Sequence, residues 1–232
     1  MQKTKIFIGT PIRNSEPTII QFLNHINELN YPLNLIGIYL LFNNSTDESK
    51  NISLNFKKQF QDKFRFIEIE EYNFDNPPID SREFCDREPI YKNLAILHNK
   101  IIDRFLIDKA NYFLSIDSDT LISPDCLMVL LNSKKPLITV PLKVCLESEN
   151  SRQLSNFLTM PILENKKEII FEIDTWGGDC GLIHRDMVIA GVRWQAHPQG
   201  EGVGFSMSAK DKGFKLYCRK ELDLAQHKMF KK

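Results

Sequence analysis

What this chain lacks narrows its class before any motif is considered. It has no C-x-x-C pair: its five cysteines, Cys85, Cys126, Cys145, Cys180 and Cys218, are scattered and odd in number. Such spacing suits neither a disulfide framework nor a zinc cluster, and reduced thiols in a cytoplasmic protein are the expectation. No apolar run approaches the roughly 20 residues of a membrane span. No transmembrane segment is therefore expected, and a membrane would be met only peripherally. Before Gly9 there are just three consecutive apolar residues, Ile6, Phe7 and Ile8, too short for the apolar stretch of a secretory signal. Charge excess is missing as well: 30 basic and 30 acidic residues balance. That removes a generic polyanion binder and leaves nucleic-acid binding dependent on a local basic face. Internal repeats and low-complexity linkers are absent too. What remains, at 232 residues, 42% hydrophobic and 26% charged, is an ordinary globular composition of a size that suits one domain over 1–232.

The apolar pattern predicts alternating strands and helices. Ile6-Phe7-Ile8 reads as a strand buried on both faces and ended by Gly9-Thr10-Pro11. Ile19, Phe22, Leu23, Ile26 and Leu29 then fall at helical spacing. A second buried strand over 35–42 ends in Asn43-Asn44-Ser45-Thr46-Asp47-Glu48, a polar cluster able to turn the chain and cap a helix. A third strand is expected over 64–69 and a long loop over 72–88. Ile90, Leu94, Leu97, Ile101 and Phe105 mark the clearest amphipathic helix, which leads into the strand Tyr112–Ile116. Ser123-Pro124-Asp125 looks like a helix start with Ser as cap, and residues 137–144 like another strand. Such alternation implies a mostly parallel central sheet flanked by helices, with ligands at the carboxyl ends of its strands. Beyond Cys145 the pattern loosens. It leaves a strand over 169–173, the small-residue loop Trp176-Gly177-Gly178-Asp179-Cys180-Gly181, a helix over 201–212 stopped by Gly213, and a strand over 215–218.

Asp117-Ser118-Asp119 stands at the end of that fourth strand. Two carboxylates one residue apart can offer hard oxygen ligands to Mg²⁺ or Mn²⁺, whose shell is completed by substrate phosphates and water. The plain alternative is a solvated turn. An EF-hand is ruled out, because Leu121, Ile122 and Met128 occupy its ligand and glycine positions. The strand followed by D-x-D-x-T also resembles the first motif of haloacid-dehalogenase phosphohydrolases, with Asp117 as nucleophile. More than a hundred residues of predicted strand and helix precede it here, whereas that family carries the motif on its first strand.

Taken in order, the segments resemble the family 2-like glycosyltransferases of the GT-A fold over nearly the whole chain. Ile6 through Asn14 looks like the opening strand and nucleotide loop, and Phe42-Asn43-Asn44-Ser45-Thr46-Asp47 like the D-D-G-S-T-D turn. Lys92-Asn93-Leu94-Ala95 through Asp119 looks like the helix, strand and D-x-D block. Trp176 through Asp186 looks like the acceptor-side glycine loop, and Gly200-Glu201-Gly202 to Gly213-Phe214 like the acidic helix.

The resemblance implies a single GT-A-like (Rossmann-like) α/β domain, with a nucleotide-binding half over about 1–120 and a less regular acceptor-side half over about 121–232. It implies a metal-dependent, inverting transfer from a nucleotide sugar to a hydroxyl acceptor. The donor would be a UDP-sugar, with a GDP-sugar second, while acceptor and oligomeric state stay open. Thr10, Pro11, Arg13, Asn43, Lys92, Asp117 and Ser118 would face the nucleotide sugar. Asp117, Asp119 and His227 would hold Mn²⁺ or Mg²⁺. Glu201 would be the general base, and Trp176, Gly177, Gly178 and Asp179 would lie on the acceptor or sugar side, Trp176 as a sugar platform. This chain departs from the family pattern twice: Asn43 replaces an Asp that chooses the base, and Gly202 replaces an Asp after the general base. Asn43 and Asp47 read equally well as helix-capping residues, and Glu201 as an exposed first-turn acid. A nucleotidyltransferase lacks support, since residues 9–13 are not glycine-rich. A binding-only domain stays open.

Overall fold

The computed structural model describes residues 4–77, 87–146, 152–155, 167–221 and 223–229. Cys85 and most of the loop expected over 72–88 lie outside them. In chain order the elements are β1 (Ile6–Ile12), α1 (Glu16–Asn27), β2 (Ile36–Phe42), α2 (Ser49–Phe60), β3 (Phe66–Glu71), α3 (Glu88–Asp108), β4 (Tyr112–Ile116), β5 (Thr120–Ile122), α4 (Cys126–Asn132), β6 (Leu137–Thr139), β7 (Leu142–Leu146), β8 (Arg152–Ser155), β9 (Ile170–Ile173), β10 (Cys180–His184), α5 (Arg185–Ile189), α6 (Glu201–Asp211), β11 (Leu216–Arg219) and β12 (Ala225–Met229).

The main sheet has eight strands in the order β3-β2-β1-β4-β10-β6-β11-β9. Its first four run parallel, β10 runs against β4 and β6, and β9 against β11. The expected α/β class, with a mostly parallel sheet flanked by helices, is the one observed. Because successive side chains on a strand point to opposite faces, Ile6 and Ile8 join the core under α1, α2 and α4, while Phe7 joins the one under α3, α5 and α6. Phe7 meets Phe105, Phe113 and Tyr39 with ring centroids 5.7, 6.0 and 5.9 Å away. Burying such a ring contributes about 1.5–3 kcal/mol.

Four details differ from the sequence reading. β1 runs on through Gly9-Thr10-Pro11 to Ile12 beside β2, although its pairing with β4 ends at Gly9. Pro11 therefore sits where no β4 ladder bond is needed from it. The single strand expected over 137–144 is two strands in two sheets: β6 ends at Thr139, and β7 begins at Leu142 in a four-stranded sheet ordered β5-β12-β7-β8. Pro141, which has no N–H to donate, stands at the break. α4 starts at Cys126 with Asp125 at its cap, not at Ser123, whose N–H is used by the Leu224 carbonyl at 2.8 Å. Finally, a further strand follows the one expected over 215–218: β12, antiparallel to β5 and parallel to β7. Among the described residues no helix is long and apolar enough to cross a membrane.

Candidate active site

The carboxyl ends of β1 and β2 and the first three turns of α3 enclose a cavity of about 200 Å³, lined by Pro11, Ile12, Arg13, Asn43, Ile90, Asn93, Leu94 and Leu97. Three of the expected nucleotide residues, Pro11, Arg13 and Asn43, are thus brought together. Thr10 is not with them: it is fully buried within β1. Lys92 is exposed and its neighbour Asn93 lines the cavity instead. Ile90, Asn93, Leu94 and Leu97 fall at i, i+3, i+4 and i+7, so the helical spacing itself could have pointed to Asn93.

Hydrogen bonds between loops fix the rim of this cavity. Asn43 spends both amide hydrogens on its surroundings, on Asn44 Oδ1 at 2.8 Å and the Tyr72 carbonyl at 2.9 Å. Asp47 accepts from the Glu16 N–H at 2.8 Å and the Ser49 N–H at 3.1 Å, the first N–H groups of α1 and α2, although the cap positions themselves are Ser15 and Glu48. Ser118 and Ser15 meet hydroxyl to hydroxyl at 2.7 Å, which ties the D-x-D turn to the loop after β1.

The acidic residues converge beside that turn. Asp117 follows β4, and its N–H donates to the Asp179 carbonyl at 3.1 Å because β10 begins alongside the end of β4. The Thr120 N–H returns to the Asp117 carbonyl at 3.0 Å and closes the turn into β5. On β12, His227 pairs with Thr120, which places its Nδ1 3.4 Å from Asp119 Oδ1. Glu201 opens α6 on the other side. Burial, then the charges of Asp179, Asp119 and Glu201, push the Asp117 carboxyl well above the usual range. Burial, with the charge of Asp179 adding to it, raises Glu201 to about 7.

The glycine at 202 has a steric reason. A Cβ there would lie 2.5 Å from the Gly177 backbone and 2.6 Å from the Trp176 carbonyl, so no Asp fits after Glu201. The second carboxylate that acts on Glu201 comes from Asp179 in the facing loop. Ser206 fastens that loop, accepting from the Trp176 N–H at 2.9 Å while donating to the Gly202 carbonyl at 2.8 Å. Trp176 itself is only 2% exposed, with its ring against the bare backbone of Gly181 and near the rings of Trp194 and Phe205. The sugar platform expected of it is therefore not displayed; the ring fills the core instead. Of the remaining histidines, His98 is buried and His25 Nδ1 meets the Ile122 carbonyl at 2.9 Å.

Among the described residues no three His, Cys, Asp or Glu side chains already surround one metal position. The donor set still suits a hard cation. Asp119 and His227 stand as a pair, and Asp117 and Asp179 carry like charges partly out of water, an arrangement that a divalent ion relieves.

A sequence profile of the Anp1 family matches residues 1–187. The chain is 33% identical over 90 residues, 37% of its own length, to the mannan polymerase II complex ANP1 subunit of Saccharomyces cerevisiae, and that stretch spans 18% of the yeast protein. Two solved structures share the fold at lower identity. One is Staphylococcus aureus TarS 1-349 in complex with UDP-GlcNAc, at TM-score 0.65 and 13% identity, covering 99% of this chain and 60% of that one. The other is the mannosyltransferase PcManGT from Pyrobaculum calidifontis in complex with GDP-Man and Mn²⁺, at TM-score 0.63 and 11% identity, covering 99% and 57%. The chain spans less than two thirds of each of these relatives. The fold matches that of these GT-A glycosyltransferases. The motifs resembled family 2-like glycosyltransferases, and the profile supplies the name: this glycosyltransferase-like chain belongs to the Anp1 family.

Proposed function

We propose that the chain transfers a sugar from a nucleotide-sugar donor to a hydroxyl acceptor, with inversion. One observation carries the reading: Asp117, Asp119, Asp179 and Glu201 gather at the end of β4, next to the cavity at the end of β1. The aliphatic wall of Ile90, Leu94 and Leu97 suits the face of a nucleobase. With both amide hydrogens of Asn43 committed, its Oδ1 is the atom left to accept from a base N–H, which uracil and guanine both possess. Support for a GDP-sugar comes from the mannan subunit and the GDP-Man-bound mannosyltransferase among the relatives, and support for a UDP-sugar from TarS.

Glu201, deprotonated above about pH 7, would take the proton from the acceptor hydroxyl as that oxygen attacks the anomeric carbon opposite the leaving phosphate. Asp117, Asp119 and His227 would hold Mn²⁺ or Mg²⁺, which supplies charge stabilisation to the departing diphosphate. Asp179 would face the sugar between the two. Residues before about 120 serve the donor and those after it the acceptor, apart from His227.

The test is release of nucleoside diphosphate from GDP-mannose and from UDP-sugars with Mn²⁺ present. The expected outcome is slow hydrolysis without acceptor, faster release with one, and loss of donor binding in Asp119→Ala. Donor binding without turnover for any acceptor would make the chain a binding subunit. No binding of any nucleotide sugar would end the proposal.

A further inference from the structure

We infer that Trp194, gripped by Asn99, is a positioning residue that seats Glu201; this rests on Glu201 being the general base. Three contacts converge on Trp194, and a fourth on the residue after it. Its backbone is held from both sides by one amide: its N–H donates to Asn99 Oδ1 at 3.0 Å, and Asn99 Nδ2 donates to its carbonyl at 2.9 Å. Its indole, 2% exposed, stacks on His98 at 4.1 Å with planes 17° apart. Burial lowers His98 to about 3, so that partner is a neutral ring at working pH. The far edge of the indole reaches 3.4 Å from where a Cβ on Gly178 would stand, and Glu201 Oε1 lies 3.7 Å from the same point. Indole and carboxylate thus border the same space, the one a side chain at Gly178 would fill. Lastly, the carbonyl of the next residue, Gln195, would lie 2.0 Å from a Cβ on Gly204, so the Gln195 backbone rests directly on the first turn of α6.

The same helix connects this seat to the donor. Leu97 lines the donor cavity, and His98 and Asn99, the next two residues of α3, hold Trp194. A donor that presses on α3 would shift the seat of the base. The cluster also keeps the indole N–H groups of Trp176 and Trp194 buried without a hydrogen-bond partner among the described residues. Trp176 and Trp194 are the only two tryptophans in the chain, so tryptophan fluorescence, excited selectively over tyrosine, reports on this site alone.

The experiment compares wild type, Asn99→Ala, Trp194→Ala and Trp194→Phe. Misplacing a reacting group by about 1 Å costs about 100-fold. The expected result is kcat lowered 10- to 100-fold in both alanine variants, donor KM within threefold, and most of kcat restored in Trp194→Phe. Hydrogen exchange should quicken across 195–205 in Asn99→Ala but not in the strands of the main sheet. In Trp176→Phe, donor binding should shift the emission of Trp194. Unchanged kcat, or equal losses of kcat, donor affinity and melting temperature with no rescue by Phe, would reduce Trp194 to a core ring. If wild type turns over no donor, the proposed function fails by itself, and the exchange and emission measurements still decide whether Asn99 and Trp194 hold the Glu201 turn.

Discussion

At the scale of single residues, Glu201 is the proposed base and the group with the clearest pH signature. Its carboxyl keeps a proton to about pH 7, against an ordinary 4.5, because it is mostly buried and faces Asp179. The folded chain therefore binds this proton more tightly than the unfolded chain. The stability it contributes is present below pH 4.5 and is lost as pH rises through 7. Glu201→Gln should remove that loss, raising stability at pH 8 relative to wild type by up to about 3 kcal/mol, as read from urea midpoints at pH 5 and 8. In the same variant transfer should vanish while donor binding persists, and wild-type kcat should climb with pH around a midpoint near 7. A Gln variant that is less stable at pH 8, or that still transfers, would contradict this account. The residue types at the site were legible because acids and amides at strand ends announce themselves. Which of them meet was not: Asn93 rather than Lys92 faces the cavity, and Trp176 turned inward, because both outcomes depend on packing against distant elements.

Among the secondary-structure elements, β12 carries the largest consequence. It pairs with β5, and β5 begins directly after Asp119, so the register Thr120 opposite His227 sets the imidazole beside that carboxylate. His227→Ala keeps every backbone bond of β12. Metal affinity measured by titration of the donor-bound protein with Mn²⁺ should weaken about tenfold or more, with the melting temperature nearly unchanged. Equal Mn²⁺ affinity in the variant would remove His227 from the cation site. The sequence Ala225-Gln226-His227-Lys228-Met229 has little β-branched or alternating character, and β12 forms because β5 and β7 offer it two ladders. The opposite lesson comes from 137–144, a convincing apolar run that Pro141 divides between two sheets.

For the whole molecule, the order β3-β2-β1-β4-β10-β6 means that the sheet does not divide where the proposed donor and acceptor halves do. β4 from the first half is flanked by β1 and by β10 from the second, and Phe113, Leu114 and Ile116 are fully buried between them. Residues 1–120 expressed alone would expose the β4 edge and lose the loop that brings Asp179 to Asp117. Such a fragment should be unfolded or aggregated, with no cooperative thermal transition by circular dichroism. A fragment that melts cooperatively and binds nucleotide sugar would show that the first half is an independent unit.

The sequence by itself determined the strands buried on both faces, the periodic helices and the placing of polar residues at strand ends. These are properties of local spacing, written into stretches of about five to twenty residues. Only the tertiary structure decided that the Asp179 carboxylate acts on Glu201 while Gly202 leaves no room for an acid, that residues 225–229 become the strand presenting His227, and that Asn99 holds Trp194 near Glu201. Each of these depends on two segments far apart in the chain packing to within a few ångströms, and no local pattern encodes such a distance.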